Sequence, residues 1–222
     1  MTQSVAILGI EPVTHNVRRY ALEKPPGFTF EPGQATEVSI DREGWRDKKS
    51  PFTFTSLAEW DHLEFTIKSY FDHKGVTNEL WSLSPGDRLL LRDVWGTITY
   101  KGSGAFIVGG AGVTPFIAIL RRLAADNKLA GHMLIVSNRT ERDIILREEF
   151  EGMDGLDIVW TLTEDPSAEG VLHERIDAGF LSRHISDMGQ NFYLCGPDPM
   201  VKDLRAALER IGASAESVTW EK

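Results

Sequence analysis

Cysteine is almost absent from this chain, and its scarcity limits the kinds of site that the chain can contain. The 222 residues include a single cysteine, Cys195. A disulfide within the chain is therefore excluded, as is an iron–sulfur cluster or zinc site built from four cysteines. The six histidines show no spacing typical of metal ligands, so we expect no metal site.

Long apolar runs and an excess of basic residues are also lacking. No apolar stretch approaches the length of a membrane span. The N-terminal segment has no basic region and soon meets Glu11, unlike a signal peptide, so we expect a cytoplasmic protein. A net charge of −9 argues against a nucleic-acid partner. Walker, G-x-S-x-G and strict G-x-G-x-x-G motifs are missing, which leaves P-loop and hydrolase functions without support.

The first half of the chain has the pattern of a β-rich domain. Short, mostly alternating apolar runs are separated by turns rich in proline, glycine and aspartate. The predicted strands are Val5–Ile10, Val17–Leu22, Ala35–Ile40, Phe52–Ser56, Leu63–Ser69 and Arg88–Arg92. A short helix is predicted over Glu79–Leu83, before Pro85. Six strands at this spacing predict a small antiparallel β-barrel over residues 1–101.

Residues 102–222 alternate between strands and helices instead. Strands are predicted at about 105–110, 132–137, 157–162 and 192–195, with helices at about 115–126, 143–150, 177–182 and 198–211. This alternation predicts a Rossmann-like α/β domain, a parallel sheet with helices on both faces. The halves also differ in charge: residues 1–101 carry 12 basic and 14 acidic side chains, whereas the remainder carries 12 and 19.

The stretch Phe106–Phe116 joins a predicted strand to a predicted helix through a glycine-rich turn. Glycine lets the backbone turn sharply and approach a ligand with no side chain between them. Thr114 suits a helix N-cap, and Pro115 suits the first helical turn. Because free N–H groups and the helix dipole point into such a turn, it predicts an anion site, with pyrophosphate as the expected ligand.

Two further loops follow predicted strands of the same sheet, at residues 137–140 and 194–200. Ligands of open α/β sheets bind beyond the carboxyl ends of the strands, so the three loops together predict one crevice. Simpler interpretations stay open for single side chains. Cys195 could be a small core residue, and Arg139 could be a solvated loop charge.

In this order, the motifs resemble the ferredoxin–NADP reductase superfamily over nearly the whole chain. In that superfamily an N-terminal barrel binds FAD and a C-terminal Rossmann-like domain binds NAD(P)H. The resemblance therefore implies an FAD-binding β-barrel at residues 1–101 and an NAD(P)-binding α/β domain at residues 102–222.

The superfamily's flavin motif, Arg-x-Tyr-Ser/Thr, corresponds to Ser50-Pro51-Phe52-Thr53. By resemblance, Phe52 replaces the tyrosine that packs on the flavin ring, and Thr53 is the hydroxyl residue that hydrogen-bonds flavin N5. Ser50 stands where the superfamily has an arginine that pairs with flavin phosphate, and serine cannot replace a bidentate cation. Lys49 is a candidate substitute, and FMN is an alternative to FAD.

A second flavin motif matches Lys74–Asn78. The resemblance implies that backbone N–H groups and the Thr77 hydroxyl hold the flavin pyrophosphate. The cofactor-binding residues implied here are Lys74, Gly75, Val76 and Thr77. A third superfamily turn, Gly-Pro-x-Gly, retains only its last glycine, Gly96.

The glycine-rich stretch and the loop after the last strand resemble the superfamily's nicotinamide-cofactor motifs. Cys195-Gly196-Pro197 with Met200 matches C-G-P-x-x-M, in which the cysteine lies near the nicotinamide. The residues implied for this cofactor are Gly109, Gly110, Gly112, Val113, Thr114, Pro115, Asn138, Arg139, Cys195, Gly196, Pro197 and Met200.

Two segments bear on the choice between NADH and NADPH. Residues 137–147 resemble the NADH-dependent microsomal cytochrome reductases of the superfamily. NADPH-specific relatives often place an arginine after the third strand, where this chain has Glu164 and Asp165, two acids that would repel a 2′-phosphate. Arg139 could still bind such a phosphate. We therefore expect NADH, with NADPH as the alternative.

The C-terminus matches the superfamily only in part. Many relatives end in an acidic residue followed by an aromatic one that covers the flavin. Glu221 corresponds to the acid, but Lys222 follows it. Either Trp220 supplies the ring, or the flavin is less covered than usual.

The resemblance implies a flavoprotein oxidoreductase in which hydride passes from NAD(P)H to flavin N5 and electrons then leave for a separate acceptor. The expected catalytic residues are Thr53, Cys195 and Glu221. Expected acceptors are a soluble carrier, such as ferredoxin, flavodoxin or a cytochrome or oxygenase component, or a small molecule. Basic residues near the flavin motif make the less acidic first half the expected docking face. The alternatives are a non-catalytic flavin-binding subunit or sensor and an unrelated nucleotide-binding transferase.

Overall fold

The computed structural model describes residues 2–72, 74–96 and 98–220, which form two compact units. One unit comprises the residues up to 97 together with Thr114–Arg122. The other comprises Ile98–Val113 and the residues from 123 onward. The elements before residue 98 are β1 (Gln3–Pro12), β2 (Val17–Glu23), β3 (Gln34–Ile40), β4 (Ser50–Thr53), β5 (His62–Lys68), α1 (Val76–Leu80) and β6 (Arg88–Gly96). Those that follow are β7 (Gly104–Gly109), α2 (Thr114–Ala125), β8 (His132–Asn138), α3 (Arg147–Glu151), β9 (Leu156–Leu162), α4 (Ala178–His184), β10 (Asn191–Cys195), α5 (Asp198–Arg210) and β11 (Val218–Trp220).

The first six strands form an antiparallel sheet in the order β4-β3-β6-β1-β2-β5. The edge strands β4 and β5 also contact each other, so the sheet curls into a barrel. Alternate residues of its strands point inward, and an aromatic cluster contributes to the core. The ring of Phe54 stacks on those of Phe30 and Phe65, with centroids 4.3 and 5.0 Å away. The predicted antiparallel barrel is confirmed.

Several boundaries in the barrel differ from the sequence prediction, among them the end of β6, which lies at Gly96 rather than at Arg92. The fourth strand ends at Thr53, and the chain beyond it crosses to β5, where the Thr55 N–H donates to the Glu64 carbonyl. The helix predicted over Glu79–Leu83 is observed three residues earlier, as α1 (Val76–Leu80), because the chain is extended at Gly75 and turns helical directly after it.

The second half contains a parallel five-stranded sheet in the order β11-β10-β7-β8-β9. Helices α4 and α5 bury their apolar residues against one face of it, and Phe180, Leu204 and Leu208 have almost no exposed surface. The four strands predicted here are confirmed. The prediction missed β11, whose three residues pair in parallel with β10.

Within residues 2–72, 74–96 and 98–220, no helix combines the length and apolarity that a membrane span requires.

Candidate functional site

The glycine-rich loop follows β7 as a short 3-10 turn, Gly110–Val113. Gly110 has a φ of +54°, a left-handed conformation that glycine adopts without strain. A Cβ at Gly112 would lie 2.3 Å from the Cys195 carbonyl oxygen, and one at Gly109 would lie 2.5 Å from Met200 Sδ. Glycine at 112 is therefore required by close packing against backbone of the loop after β10, whereas a side chain at 109 would displace the Met200 side chain.

The loop after β10 lies beside the glycine-rich loop because β10 and β7 are neighbours, with Cys195 opposite Val108. Cys195 is buried, with 7% of its surface exposed, and Pro197 is the N-cap residue of α5. Met200 packs partly into the core under α5. The structure thus brings together the two loops that the sequence analysis had assigned to one crevice.

Asn138 ends β8, the strand on the other side of β7. Its side chain is 94% buried, since only 6% of the residue is exposed, and Oδ1 has no hydrogen-bond partner among the described residues. A Cβ at Gly110 would lie 3.9 Å from this oxygen. Buried polar atoms in proteins are normally hydrogen-bonded, so an orphan beside a glycine-rich loop fits a missing ligand.

Arg139 follows Asn138 and lies beside an acidic loop. Its guanidinium is 78% exposed and pairs with Glu164 at 3.6 Å. The Glu164 N–H donates to the Arg139 carbonyl, which fixes the loop after β9 against the loop after β8. Asp165 accepts the Glu141 N–H at 3.2 Å, and this bond, followed by the Ser167 hydroxyl, holds the pKa of Asp165 below its usual value. Glu164 is therefore held close to the exposed cation, and Asp165 follows it in the same loop.

The predicted flavin motif, Ser50–Thr53, forms β4 and pairs with β3. Thr53, opposite Ala35, is 7% exposed, and Phe52, opposite Thr36, is half-buried with its ring 6.1 Å from that of Phe65. Ser50 is half-buried at the start of the strand.

The substitute cation suggested for the flavin phosphate, Lys49, has a partner of its own. Its Nζ donates to a Glu37 oxygen at 3.3 Å, and both side chains are more than two-fifths exposed. An exposed pair of this kind is weak, so a phosphate could compete with the carboxylate for Lys49.

The second flavin motif forms the entry to α1. Gly75 is the N-cap, Val76 is buried, and the Thr77 carbonyl accepts the Ser69 hydroxyl at 2.8 Å. The Tyr20 hydroxyl donates to the Leu80 carbonyl at the other end of the helix. Both ends of α1 are thereby tied to the barrel.

Trp220 lies on β11 opposite Leu194 and packs partly into the core under α5. The Arg205 guanidinium lies 3.5 Å from its ring centre, a cation–π contact. Glu221, expected to be the terminal acid, and Lys222 lie outside the described residues.

A buried ion pair in the unit that contains the barrel was not predicted from the sequence. Arg121 of α2 donates to Glu64 of β5 at 2.6 Å and to the Thr55 carbonyl at 2.7 Å. The two charged side chains are 7% and 5% exposed. A charged residue among the apolar side chains of α2 was a visible signal, but its partner could not be read from the sequence. Among the described residues, no cluster of potential ligands could hold a metal ion.

Known proteins share both the fold and the sequence pattern. The oxidoreductase NAD-binding domain family matches residues 106–206. The reductase component of propane 2-monooxygenase from Rhodococcus jostii (strain RHA1) is 29% identical over 232 residues, which cover 96% of this chain and 61% of that protein. NADH-cytochrome b5 reductase 2 from Mycosarcoma maydis is 27% identical and is matched over 94% of this chain and 69% of its own length. The chain therefore spans less than two thirds of the length of the first of these relatives.

A solved structure matches both units. A ferredoxin NADP+ reductase from Neisseria gonorrhoeae, with bound FAD and NADP, superposes with a TM-score of 0.86 at 18% identity. The match covers 99% of this chain and 98% of that one. The two-domain fold is therefore common to both proteins.

Proposed function

Because the chain belongs to the ferredoxin–NADP reductase superfamily, as its motifs predicted, we propose that it is an NAD(P)H-dependent flavin reductase that passes electrons to a separate acceptor. FAD and NAD(H) are its cofactors. We assign the flavin to residues 1–101 and the nicotinamide cofactor to residues 102–222.

One observation carries the nicotinamide assignment. The orphan Oδ1 of Asn138 lies beside the left-handed Gly110, in a loop whose Gly112 has no room for a side chain. A dinucleotide needs close backbone approach for its pyrophosphate and polar partners for its remaining groups. The residues at this sheet edge supply both.

The chain's contribution to the reaction is binding and alignment. Bound FAD would supply the hydride-accepting and electron-donating chemistry, which the protein side chains lack. Thr53 orients the flavin through its hydroxyl, Phe52 packs against the ring, and the motif Lys74–Thr77 holds the pyrophosphate. Cys195 backs the nicotinamide, and Glu221 is assigned as the acid of the chain terminus. Holding two reactants in the reacting geometry lowers the barrier without acid–base chemistry.

NADH is the proposed reductant. Glu164 partly neutralises Arg139, and the next residue, Asp165, has a lowered pKa, so a 2′-phosphate bound at this loop would meet acidic side chains. One of the relatives, from Mycosarcoma maydis, is named for NADH.

The acceptor is a separate electron carrier or a small molecule, because one cysteine cannot hold an iron–sulfur cluster within these 222 residues. The two relatives are named for cytochrome b5 and for a monooxygenase, which supports a cytochrome or an oxygenase component as much as ferredoxin or flavodoxin. We propose docking on the less acidic first half. Its basic residues stand beside acids, however, with Arg46 bonded to Asp41 at 2.7 Å, so steering by charge will be modest.

A spectrum and a titration test the proposal. The purified protein should be yellow, or become yellow with FAD, and should bleach anaerobically when NADH is added. Protein that binds neither FAD nor FMN would eliminate the flavoenzyme. Thr53→Ala should slow flavin reduction more than it weakens nucleotide binding, and an unchanged single-turnover rate would remove Thr53 from the reaction.

A non-catalytic flavin-binding subunit or sensor is the second candidate, because Ser50 replaces the phosphate-binding arginine. Bound flavin that reduces no acceptor, natural or artificial, would favour it.

A further inference from the structure

We propose that Arg121 is a positioning residue for hydride transfer, fastening the helix that follows the glycine-rich loop to the segment that follows the flavin motif. This inference rests on the proposed flavin reductase activity. It assigns a role to a residue outside both cofactor motifs.

The contacts of Arg121 converge on the end of the flavin motif. Its Nη1 reaches both a Glu64 oxygen and the carbonyl of Thr55, two residues beyond Thr53. The Thr55 hydroxyl donates to the same Glu64 oxygen at 2.7 Å, and the Glu64 N–H donates to the Ser56 hydroxyl at 3.1 Å. The segment after β4 is thus bonded to β5 and to Arg121 together.

The neighbouring arginine shows what an ordinary surface pair looks like. Arg122 pairs with Glu59, but these side chains are 35% and 55% exposed. An exposed pair contributes little, whereas removing one partner of a buried pair leaves a charge without compensation. Burial and two convergent hydrogen bonds distinguish Arg121 from Arg122.

Chain continuity links these contacts to the nicotinamide motif. Helix α2 begins at Thr114, the residue directly after the glycine-rich turn Gly110–Val113. The segment Thr114–Arg122 belongs to the same compact unit as the barrel. About two helical turns, a rise of roughly 10 Å, separate Thr114 from Arg121. The residue that directly follows the nicotinamide loop, Thr114, therefore begins a segment that belongs to the same unit as the flavin motif.

The test uses variants that remove the link without stranding a charge. Arg121→Met combined with Glu64→Gln removes both charges, and Arg121→Lys keeps the charge but loses the forked geometry. We expect the double variant to retain FAD while its flavin reduction at saturating NADH slows by about tenfold or more, with a weaker nicotinamide–flavin charge-transfer band. Ferricyanide should reoxidise its dithionite-reduced flavin within about twofold of the wild-type rate, since that step needs no nicotinamide alignment. Arg121→Lys should fall between.

Arg122→Met is the matched control and should behave as wild type in all three measurements. A double variant with a lower melting temperature but an unchanged reduction rate and charge-transfer band would overturn the proposal.

If neither nucleotide reduces the flavin of the wild-type protein, the proposed function fails. Amide hydrogen exchange then tests the role of Arg121 separately. Amides of Gly110–Arg122 should exchange faster in the double variant than in Arg122→Met, and equal exchange would overturn the link.

Discussion

At Asn138, one polar atom is buried without a hydrogen-bond partner. Such an atom costs the protein about 1–3 kcal/mol, which makes it a sign of a bond that something else completes. The sequence pointed to Asn138 by its position after a predicted strand and by the family resemblance. Burial and the missing partner depend on how neighbouring loops pack, and no local pattern encodes that.

Asn138→Leu separates stability from binding. Leucine has nearly the same shape and no polar atom, so the free energy of unfolding of the ligand-free protein should rise by about 1 kcal/mol. The dissociation constant for NADH should rise about tenfold, since one hydrogen bond is lost. Denaturant melts and an NADH titration measure the two effects. A less stable variant with wild-type affinity would show that the oxygen serves the fold rather than a ligand.

Gly112→Ala tests the close packing of the two nicotinamide loops. The added carbon would lie 2.3 Å from the Cys195 carbonyl, so backbone must move. We expect a stability loss of about 1–3 kcal/mol and weaker NADH binding, measured by thermal melts and titration. Gly9→Ala is the control, because nothing lies within 4 Å of its Cβ position. Equal effects of the two substitutions would contradict the packing argument.

At the scale of elements, the spacing of apolar residues and the turns between them predicted most of the strands and helices. Alternation gave the barrel strands, and strand–helix alternation gave the parallel sheet. Strand β11 was not predicted, because three residues are too few to show an alternating pattern and the strand depends on pairing with β10. The Arg121–Glu64 pair was not predicted either, because its partners are 57 residues apart in the chain and no local pattern connects them.

The loop after β9 should control nucleotide choice. Glu164→Arg replaces the partner of Arg139 with a second cation, so the ratio of kcat/KM for NADPH to that for NADH should rise on the order of tenfold. Glu169→Arg makes the same charge change at another exposed position of the loop and is the matched control. Steady-state assays with both nucleotides would refute the assignment if the two variants shifted the ratio equally.

Asp165 makes the contribution of the same loop to protein stability depend on pH. Its folded pKa is lowered, chiefly by the Glu141 N–H, so its contribution to stability is present above the ordinary aspartate pKa near 4 and is lost as pH falls through the folded value. Asp165→Asn should therefore melt below wild type at pH 7, and the difference should vanish in acid. A difference in melting temperature that persists or grows once Asp165 is protonated in the folded protein would contradict this account.

At the scale of the whole molecule, the two compact units do not follow the chain in simple succession. Residues 114–122 return to the unit of the barrel after the second unit has begun. The rhythm of the sequence predicted two domains divided at residue 101, and this division remains a prediction. Sequence period describes how each element is built, but it carries no information about which unit a helix joins.

Helix α2 belongs partly to each unit, since Thr114–Arg122 lies in one and residues 123–125 lie in the other. Helix formation is cooperative, so neither unit can unfold without disrupting an element of its neighbour. We therefore expect calorimetry to show a single transition whose calorimetric and van't Hoff enthalpies agree. Saturation with FAD should raise that transition as a whole, because a ligand of the folded state stabilises everything that unfolds with it. Two separate transitions, with only one moved by FAD, would show that the units unfold independently and that α2 couples them weakly.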